Sequence, residues 1–406
     1  MVRPHRPDRH RLRALLAAPL RPPDVLRVGP FREGAFRSHL HSQRTAAWLG
    51  IGLGISFGLC FATGLLSHAI QHPPSWFDWP PRPAGLYRVT QGLHVATGIA
   101  SVPLLLAKLW VVYPRLWTWP PVESFAHAVE RLSLLPLVAG GTFMLFSGLA
   151  DVGHWYPWRF FFPAAHFWAA WITIGALIIH IGAKSTATAA ALHRQPQPDA
   201  ASAPASRQGL TRRGFLGAVG AAAGLLTLTT LGQTVRPLAR VGLLAPRRPD
   251  VGPQGLPVNT TARQARVLDA VADPAYRVRV EGRVATPLEL SVADLRRLPQ
   301  HEVVLPISCV EGWSAEALWR GIRVRDLLEM AGAPPDATVE VRSAQPPGRY
   351  SQSVLNPMHA GDPDTLLALD VGGRPLHVDH GFPVRLVGPN RPGVLQTKWV
   401  SRLVVL

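Results

Sequence analysis

The sequence predicts a multidomain chain: an all-α transmembrane four-helix bundle with a fifth membrane helix, followed by one α+β domain. Three observations predict it. Five uncharged apolar segments, 46–66, 89–107, 132–150, 160–183 and 214–235, all precede residue 236. Each is close to the ~20 residues that cross a bilayer. Lys and Arg are shared unequally between the connecting segments. The residues beyond 236 have no comparable apolar run, and short Val/Ile-rich stretches there are interspersed with two short helical patterns.

Residues 1–38 are a basic, Arg/Pro-rich region. Segments 1–45, 108–131 and 184–213 carry 10, 3 and 5 Lys/Arg, whereas the alternate loops 67–88 and 151–165 carry only Arg82, Arg88 and Arg159. Positive charge stays on the cytoplasmic side of a membrane helix. The expected location is therefore the inner or plasma membrane, with the N-terminus cytoplasmic and the C-terminal domain, after five spans, extracytoplasmic. The formal net charge of +17 follows this topology and not a nucleic-acid face, since only Phe31 and Phe36 lie among the N-terminal arginines. A basic arm on anionic lipid is the alternative use for them.

The first four spans, within 39–193, have short loops and are expected to pack up-down-up-down. Their outer loops hold Trp76, Trp79, Trp155, Tyr156 and Trp158, an interfacial aromatic belt beside membrane lipid. Gly52, Gly54, Gly58 and Gly64 on the first span permit close approach of a helix or a flat cofactor. Residues 194–210 read as a Pro/Ala/Ser linker. The fifth span, 211–236, opens Thr211-Arg212-Arg213-Gly214-Phe215-Leu216, which resembles a twin-arginine export signal placed inside the chain; an ordinary basic-flanked helix is the plainer reading. In the last domain, 250–406, strands are expected at 276–280, 302–307, 338–342, 384–387 and 399–405, and helices at 292–297 and 324–331. Strands and helices without strict alternation indicate α+β.

Two histidines of the fourth span, His166 and His180, are fourteen residues apart. On an α-helix that spacing returns to nearly the same face, about 21 Å along the axis. Ionisable groups inside membrane helices mark functional sites. His94, early in the second span, matches His166 in depth. His41, or alternatively His39, matches His180, and His68 is a rival ligand at the outer end of the first span. Any one of these alone would be read as an interhelical hydrogen-bonding group. Together they predict bis-histidine sites for one or two haems, His94 with His166 outside and His41 with His180 inside. His72, His127 and His154 fall in loops and are read as solvated. Residues 39–190 resemble the cytochrome b subunit of bacterial formate dehydrogenases and related di-haem anchors, a resemblance that implies haem b and exchange of electrons with quinone or quinol.

Only two cysteines occur, Cys60 and Cys309. They are expected on opposite sides of the membrane surface, and no C-x-x-C pair signals attached haem or zinc. Cys309 lies in Leu305-Pro-Ile-Ser-Cys-Val-Glu-Gly-Trp-Ser314. Further on come His377-Val-Asp-His380-Gly381-Phe-Pro383-Val-Arg385 and Lys398-Trp399. Alone, Cys309 would be a buried core thiol. In this order the motifs resemble the sulfite oxidase family of molybdenum enzymes over about 258–406. The resemblance implies molybdenum held by the Cys309 thiolate and by the dithiolene of molybdopterin, with His380, Gly381, Arg385, Lys398 and Trp399 binding the pterin. Asn259 and Thr260 are further pterin-contact candidates. Arg suits a pterin phosphate through paired hydrogen bonds and Lys as a point charge.

True sulfite oxidases carry an arginine soon after the cysteine. Cys309-Val-Glu-Gly-Trp-Ser has none, and resembles periplasmic methionine sulfoxide reductase more closely. Arg320, Arg323 and Arg325 are candidates for an anionic pocket, or are surface residues. The expected activity is oxygen-atom transfer by a molybdopterin-dependent oxidoreductase that reduces an S-oxide or N-oxide with electrons from quinol. Oxidation of a small oxyanion such as sulfite, with quinone as acceptor, is the near alternative. A haem-binding anchor with a non-catalytic soluble domain is a third reading.

Overall fold

The computed structural model describes residues 35–36, 38–117, 122, 124–193, 210–248 and 251–406. The basic segment 1–34 and most of the expected linker, 194–209, lie outside the described residues. Five helices are long and apolar enough to cross a membrane: α1 (Gln43–Gln71), α2 (Leu86–Val112), α3 (Phe125–Val152), α4 (Phe162–His193) and α5 (Arg212–Leu231). Leu106, Leu132, Ile172, Ile178 and Leu225 are each more than half exposed, which fits helices of membrane-crossing length. The fifth helix stops at Leu231 instead of running to 235. There Gly232 begins a 3-10 turn and the Arg236–Val241 segment a second one, with proline near its start; proline cannot continue an α-helix.

Among the described residues the chain forms two compact units, 35–54 with 102–142 and 171–221, and 55–101 with 143–170 and 222–406. In the first, Ala46, Leu49, Val111 and Val219 form a small buried cluster. The second contains the segment of α2 around Val95 and Ile99, packed with Leu231, and the whole mixed α/β domain.

That domain has, in order, α6 (Leu268–Ala272), β1 (Arg277–Gly282), β2 (Leu288–Ser291), α7 (Val292–Arg297), β3 (His301–Ser308) and β4 (Ser314–Arg323). After these come α8 (Val324–Met330), β5 (Val339–Ser343), β6 (Gln352–Leu355), α9 (Pro357–Ala360), β7 (Leu366–Val371), β8 (Arg374–Pro375), β9 (Arg385–Val387) and β10 (Val400–Val405). One sheet runs β2-β1-β10-β5-β6, and the other β3-β4-β7-β8 with β9 also on β7. β1 and β10 are parallel; the other pairings are antiparallel. Ser291 starts α7 with a capping box closed by Asp294, which satisfies two helix-end donors reciprocally.

The main core joins Val278, Val280, Ile322, Leu327, Leu367, Leu386 and Leu403. A second cluster gathers Leu305, Ile307, Trp313, Trp319 and Val387 around Cys309. Trp319 is 0% exposed and its indole N–H donates to the Leu305 carbonyl. Trp319→Ala is expected to destabilise the domain by about 3–5 kcal/mol, read as a lowered midpoint in denaturant with the cofactor-free protein.

Candidate functional site

Cys309 follows β3 and opens a tight turn. Its N–H donates to the Trp313 carbonyl at 2.9 Å, and the Gly312 N–H donates back to Cys309 at 3.1 Å. Gly312 takes the left-handed region, φ 89°, which glycine adopts without strain. The thiol is buried. Asn259 Nδ2 donates to Cys309 Sγ at 3.1 Å and to Glu311 Oε1 at 2.9 Å. Trp313 Nε1 donates to the other Glu311 oxygen at 3.0 Å, so the sulfur and a buried carboxylate are tied together by one amide. Burial, and then the Glu311 charge, push the Cys309 thiol well above its usual range. A metal cation reverses that preference, since a coordinating thiol loses its proton.

The other predicted residues form a second group. His380 is buried and its Nε2 lies 2.6 Å from the Pro253 carbonyl. Burial pushes its imidazole down to about 4. Gly381 has φ 107°, and a Cβ there would stand 3.1 Å from the β-carbons of both Arg385 and Lys398; only glycine lets these two cations flank the turn. Arg385 is 4% exposed. Its Nη1 donates to the His380 carbonyl at 3.2 Å and its guanidinium lies 5.5 Å from the Trp319 ring centre. Lys398 Nζ donates to the carbonyls of Thr260 at 2.7 Å and Asp379 at 2.8 Å. Trp399 Nε1 donates to the Val378 carbonyl.

Burial pushes Arg385 down to about 10. Burial, and then Arg385, push Lys398 down to about 7. Arg385 Nε is buried without a partner. A buried and a half-buried cation held by carbonyls, the buried one with an unspent donor, fit a group that brings its own negative charge. A phosphate-ended pterin is such a group, and Arg385 and Lys398 would hold it. Among the described residues no cluster of three or more metal-ligating side chains exists, so Cys309 offers a metal a single soft ligand.

Arg320, Arg323 and Arg325 each have partners of their own. Arg320 lies near Glu302 and Asp370, Arg323 Nε donates to the Pro363 carbonyl, and Arg325 pairs with Asp326.

Three residues near Cys309 were not expected from the sequence. His154, read as a solvated loop histidine, has Nε2 3.1 Å from Glu311 Oε1. Tyr156 donates to Asp151 at 2.9 Å. Tyr350 is held above its usual range by burial and then by the carboxylate of Asp151, with Cys309 a further contributor. None carries a motif; only the fold brings His154 to Glu311, two residues from the cysteine.

On the helices, the His94 and His166 rings have centres 6.4 Å apart and are nearly perpendicular. His94 Nδ1 lies 2.8 Å from the Cys60 carbonyl, and His166 Nδ1 lies 2.9 Å from Ser147 Oγ. In each ring that leaves Nε2 as the nitrogen available to a metal. Gly64 faces His94, where a Cβ would stand 2.7 Å from its Cε1. His68 does not join this pair; its ring stacks on Phe167 at 3.7 Å and neighbours His72 at 4.9 Å. In the other unit, His41 Nδ1 lies 3.1 Å from the Val111 carbonyl with its ring against Trp110 at 4.4 Å. His39 is exposed, and His180 Nδ1 is buried without a partner. Among the described residues no ring contact joins His41 to His180.

The family described as "Oxidoreductase molybdopterin binding domain" matches residues 265–406. Sulfite oxidase of Gallus gallus is 34% identical over 168 residues, 34% of this chain and 36% of that protein. An uncharacterized oxidoreductase of Bacillus subtilis, YuiH, is 33% identical over 126 residues, 31% of this chain and 62% of that protein. A protein of Azospira oryzae, provisionally named a protein-methionine-sulfoxide reductase subunit, YedZ1, is 30% identical over 142 residues, 35% of this chain and 52% of that protein. The chain thus spans 36% of the length of the Gallus gallus sulfite oxidase it matches. The C-terminal part of this chain, preceded by five membrane-length helices, is a sulfite-oxidase-type molybdopterin-binding oxidoreductase domain.

Proposed function

We propose that this protein sits in the inner or plasma membrane, N-terminus inside, and passes electrons from quinol to an extracytoplasmic molybdenum site that reduces an S-oxide or N-oxide. The observation that carries the reading is the His94–His166 pair, which belongs to the same compact unit as Cys309. Two imidazoles whose rings lie 6.4 Å apart would hold a haem iron between them, the iron supplying one-electron transfer. Each Nδ1 has the acceptor that fixes a ligating imidazole. One b-type haem held by His94 and His166 follows. His41 and His180 remain candidates for a second, and the Arg212-Arg213 start of α5 for an export signal.

When bound, molybdopterin and its metal supply the two-electron, oxygen-accepting chemistry. The residues of the chain anchor and tune it. Cys309 holds the metal, Arg385 and Lys398 the pterin phosphate, and Asn259 orients the sulfur. Glu311 places a carboxylate beside the cysteine, where sulfite oxidases have an arginine soon after it. A carboxylate there repels an oxyanion and tolerates a neutral S-oxide, which favours reduction over sulfite oxidation. In the balanced reaction a sulfoxide takes up two electrons and two protons, its sulfur–oxygen bond breaks, and a thioether and water leave. Oxidation of quinol to quinone releases the same two electrons and two protons.

The test uses purified full-length protein reduced with a quinol analogue, followed at the b-type absorption band. Reoxidation on adding dimethyl sulfoxide or trimethylamine N-oxide is expected. Reduction of oxidised protein by sulfite would reverse the direction, and absence of a b-type band would remove the haem conduit. A haem-bearing protein with no molybdenum would be the anchor of the third reading.

A further inference from the structure

The turn that carries Cys309 rests directly on the helix that carries His94. Gly312, three residues after the cysteine, packs so closely on Val95 that a Cβ would stand 2.7 Å from Val95 Cγ2 and 2.9 Å from its Cβ. One helical turn earlier, Gln91 Nε2 donates to the Val310 carbonyl. Gln91 and Val95 are neighbours on one face of α2 and flank His94. Glu311, between the two contacts, is held by His154.

A second attachment fixes the domain where this contact forms. Asn390 is 2% exposed and spends every polar group on residues 79–87. Its N–H donates to the Ala84 carbonyl at 3.0 Å, and its carbonyl accepts from Trp79 Nε1 at 2.8 Å. Its Nδ2 donates to the Pro80 carbonyl at 2.7 Å, and its Oδ1 accepts from the Tyr87 N–H at 2.6 Å. Arg82 of the same loop forks onto Asp362 at 3.3 Å and also reaches Asp364. A domain swinging on a tether would have to strip all of these bonds in every cycle.

We infer that electrons cross between the His94 pair and the Cys309 site through the fixed Val310–Gly312 contact on α2. Gln91 and Gly312 act as positioning residues, and no domain movement belongs to the cycle. The inference rests on the proposed function. Each turnover moves two electrons singly across this contact, from quinol to the S-oxide, with two protons taken up at the product water.

The test compares two rates on the full-length protein: reoxidation of quinol-reduced haem by dimethyl sulfoxide, and S-oxide reduction driven by a soluble viologen that reaches the molybdenum site from solvent. Gln91→Leu is expected to keep haem, molybdenum and viologen-driven turnover, and to slow haem reoxidation about tenfold. Gly312→Ala is expected to lower the ratio of the two rates in the same direction. In the unaltered protein, haem reoxidation is expected to be independent of glycerol viscosity, and Asn390→Ala to make it viscosity-dependent. Unchanged haem reoxidation in both contact variants, or a rate in the unaltered protein that falls in proportion to viscosity, overturns the inference. Protein lacking haem or molybdenum fails the proposed function instead, and the two failures are distinguished by cofactor content.

Discussion

Cys309→Ala is expected to eliminate S-oxide reduction with either quinol or viologen as donor, by about three orders of magnitude or more. The reason is local. Among the described residues no cluster of metal-ligating side chains stands in for the thiolate, and its nearest polar neighbours, Asn259 and Glu311, are bonded to each other. Arg385 and Lys398 belong to a separate stretch of chain, so pterin is expected to be retained in part while the metal is lost. Elemental analysis alongside fluorescence of the released, oxidised pterin reads the two separately. Serine at 309 is expected to recover little, since a hard alkoxide donates less charge to the metal than a thiolate does. A Cys309→Ala protein with normal molybdenum content and turnover would remove this residue from the site.

His166→Leu is expected to remove the b-type absorption assigned to the His94–His166 pair and to lower quinol-driven turnover about a hundredfold or more. Viologen-driven turnover should stay within about twofold, because the variant leaves the Cys309 turn and its pterin residues untouched. Leucine keeps the helix and fills the volume, so loss of the band reports ligation and not collapse. Ser147→Ala removes only the group facing His166 Nδ1 at 2.9 Å. It should retain the band and shift the haem midpoint potential, since that contact tunes the ligand without making the bond. A band of full height in both His94→Leu and His166→Leu would refute the assignment.

The membrane-length helices were legible because a run of uncharged apolar residues has few other fates in water. α7 was legible at both ends, because Ser291 and Asp294 announce a capped start. β4 and β7 were not. Ser-Ala-Glu-Ala-Leu-Trp-Arg and Leu-Leu-Ala-Leu-Asp are rich in residues that favour helices, and they become strands only because the sheet pairs them on both sides, a case of tertiary context overriding propensity. In the site, Cys309, His380, Arg385 and Lys398 stood out through spacing within motifs. His154, Tyr350 and Asn390 did not, as each acts on partners far away in sequence. His94 and His166 could be matched by depth alone. For His41 and His180 depth gave a candidate pairing only, and His41 lies against Val111 and Trp110.

Asn390 sits five residues after Arg385 and eight before Lys398. The stretch that grips the loop between the first two helices is therefore bracketed by the two cations proposed to hold the pterin. Insertions or deletions between 386 and 397 would be felt on both flanks at once, at the cofactor and at the membrane. Such a stretch has almost no room to drift, so across generations its length should be inherited as a single unit even where surrounding loops vary freely.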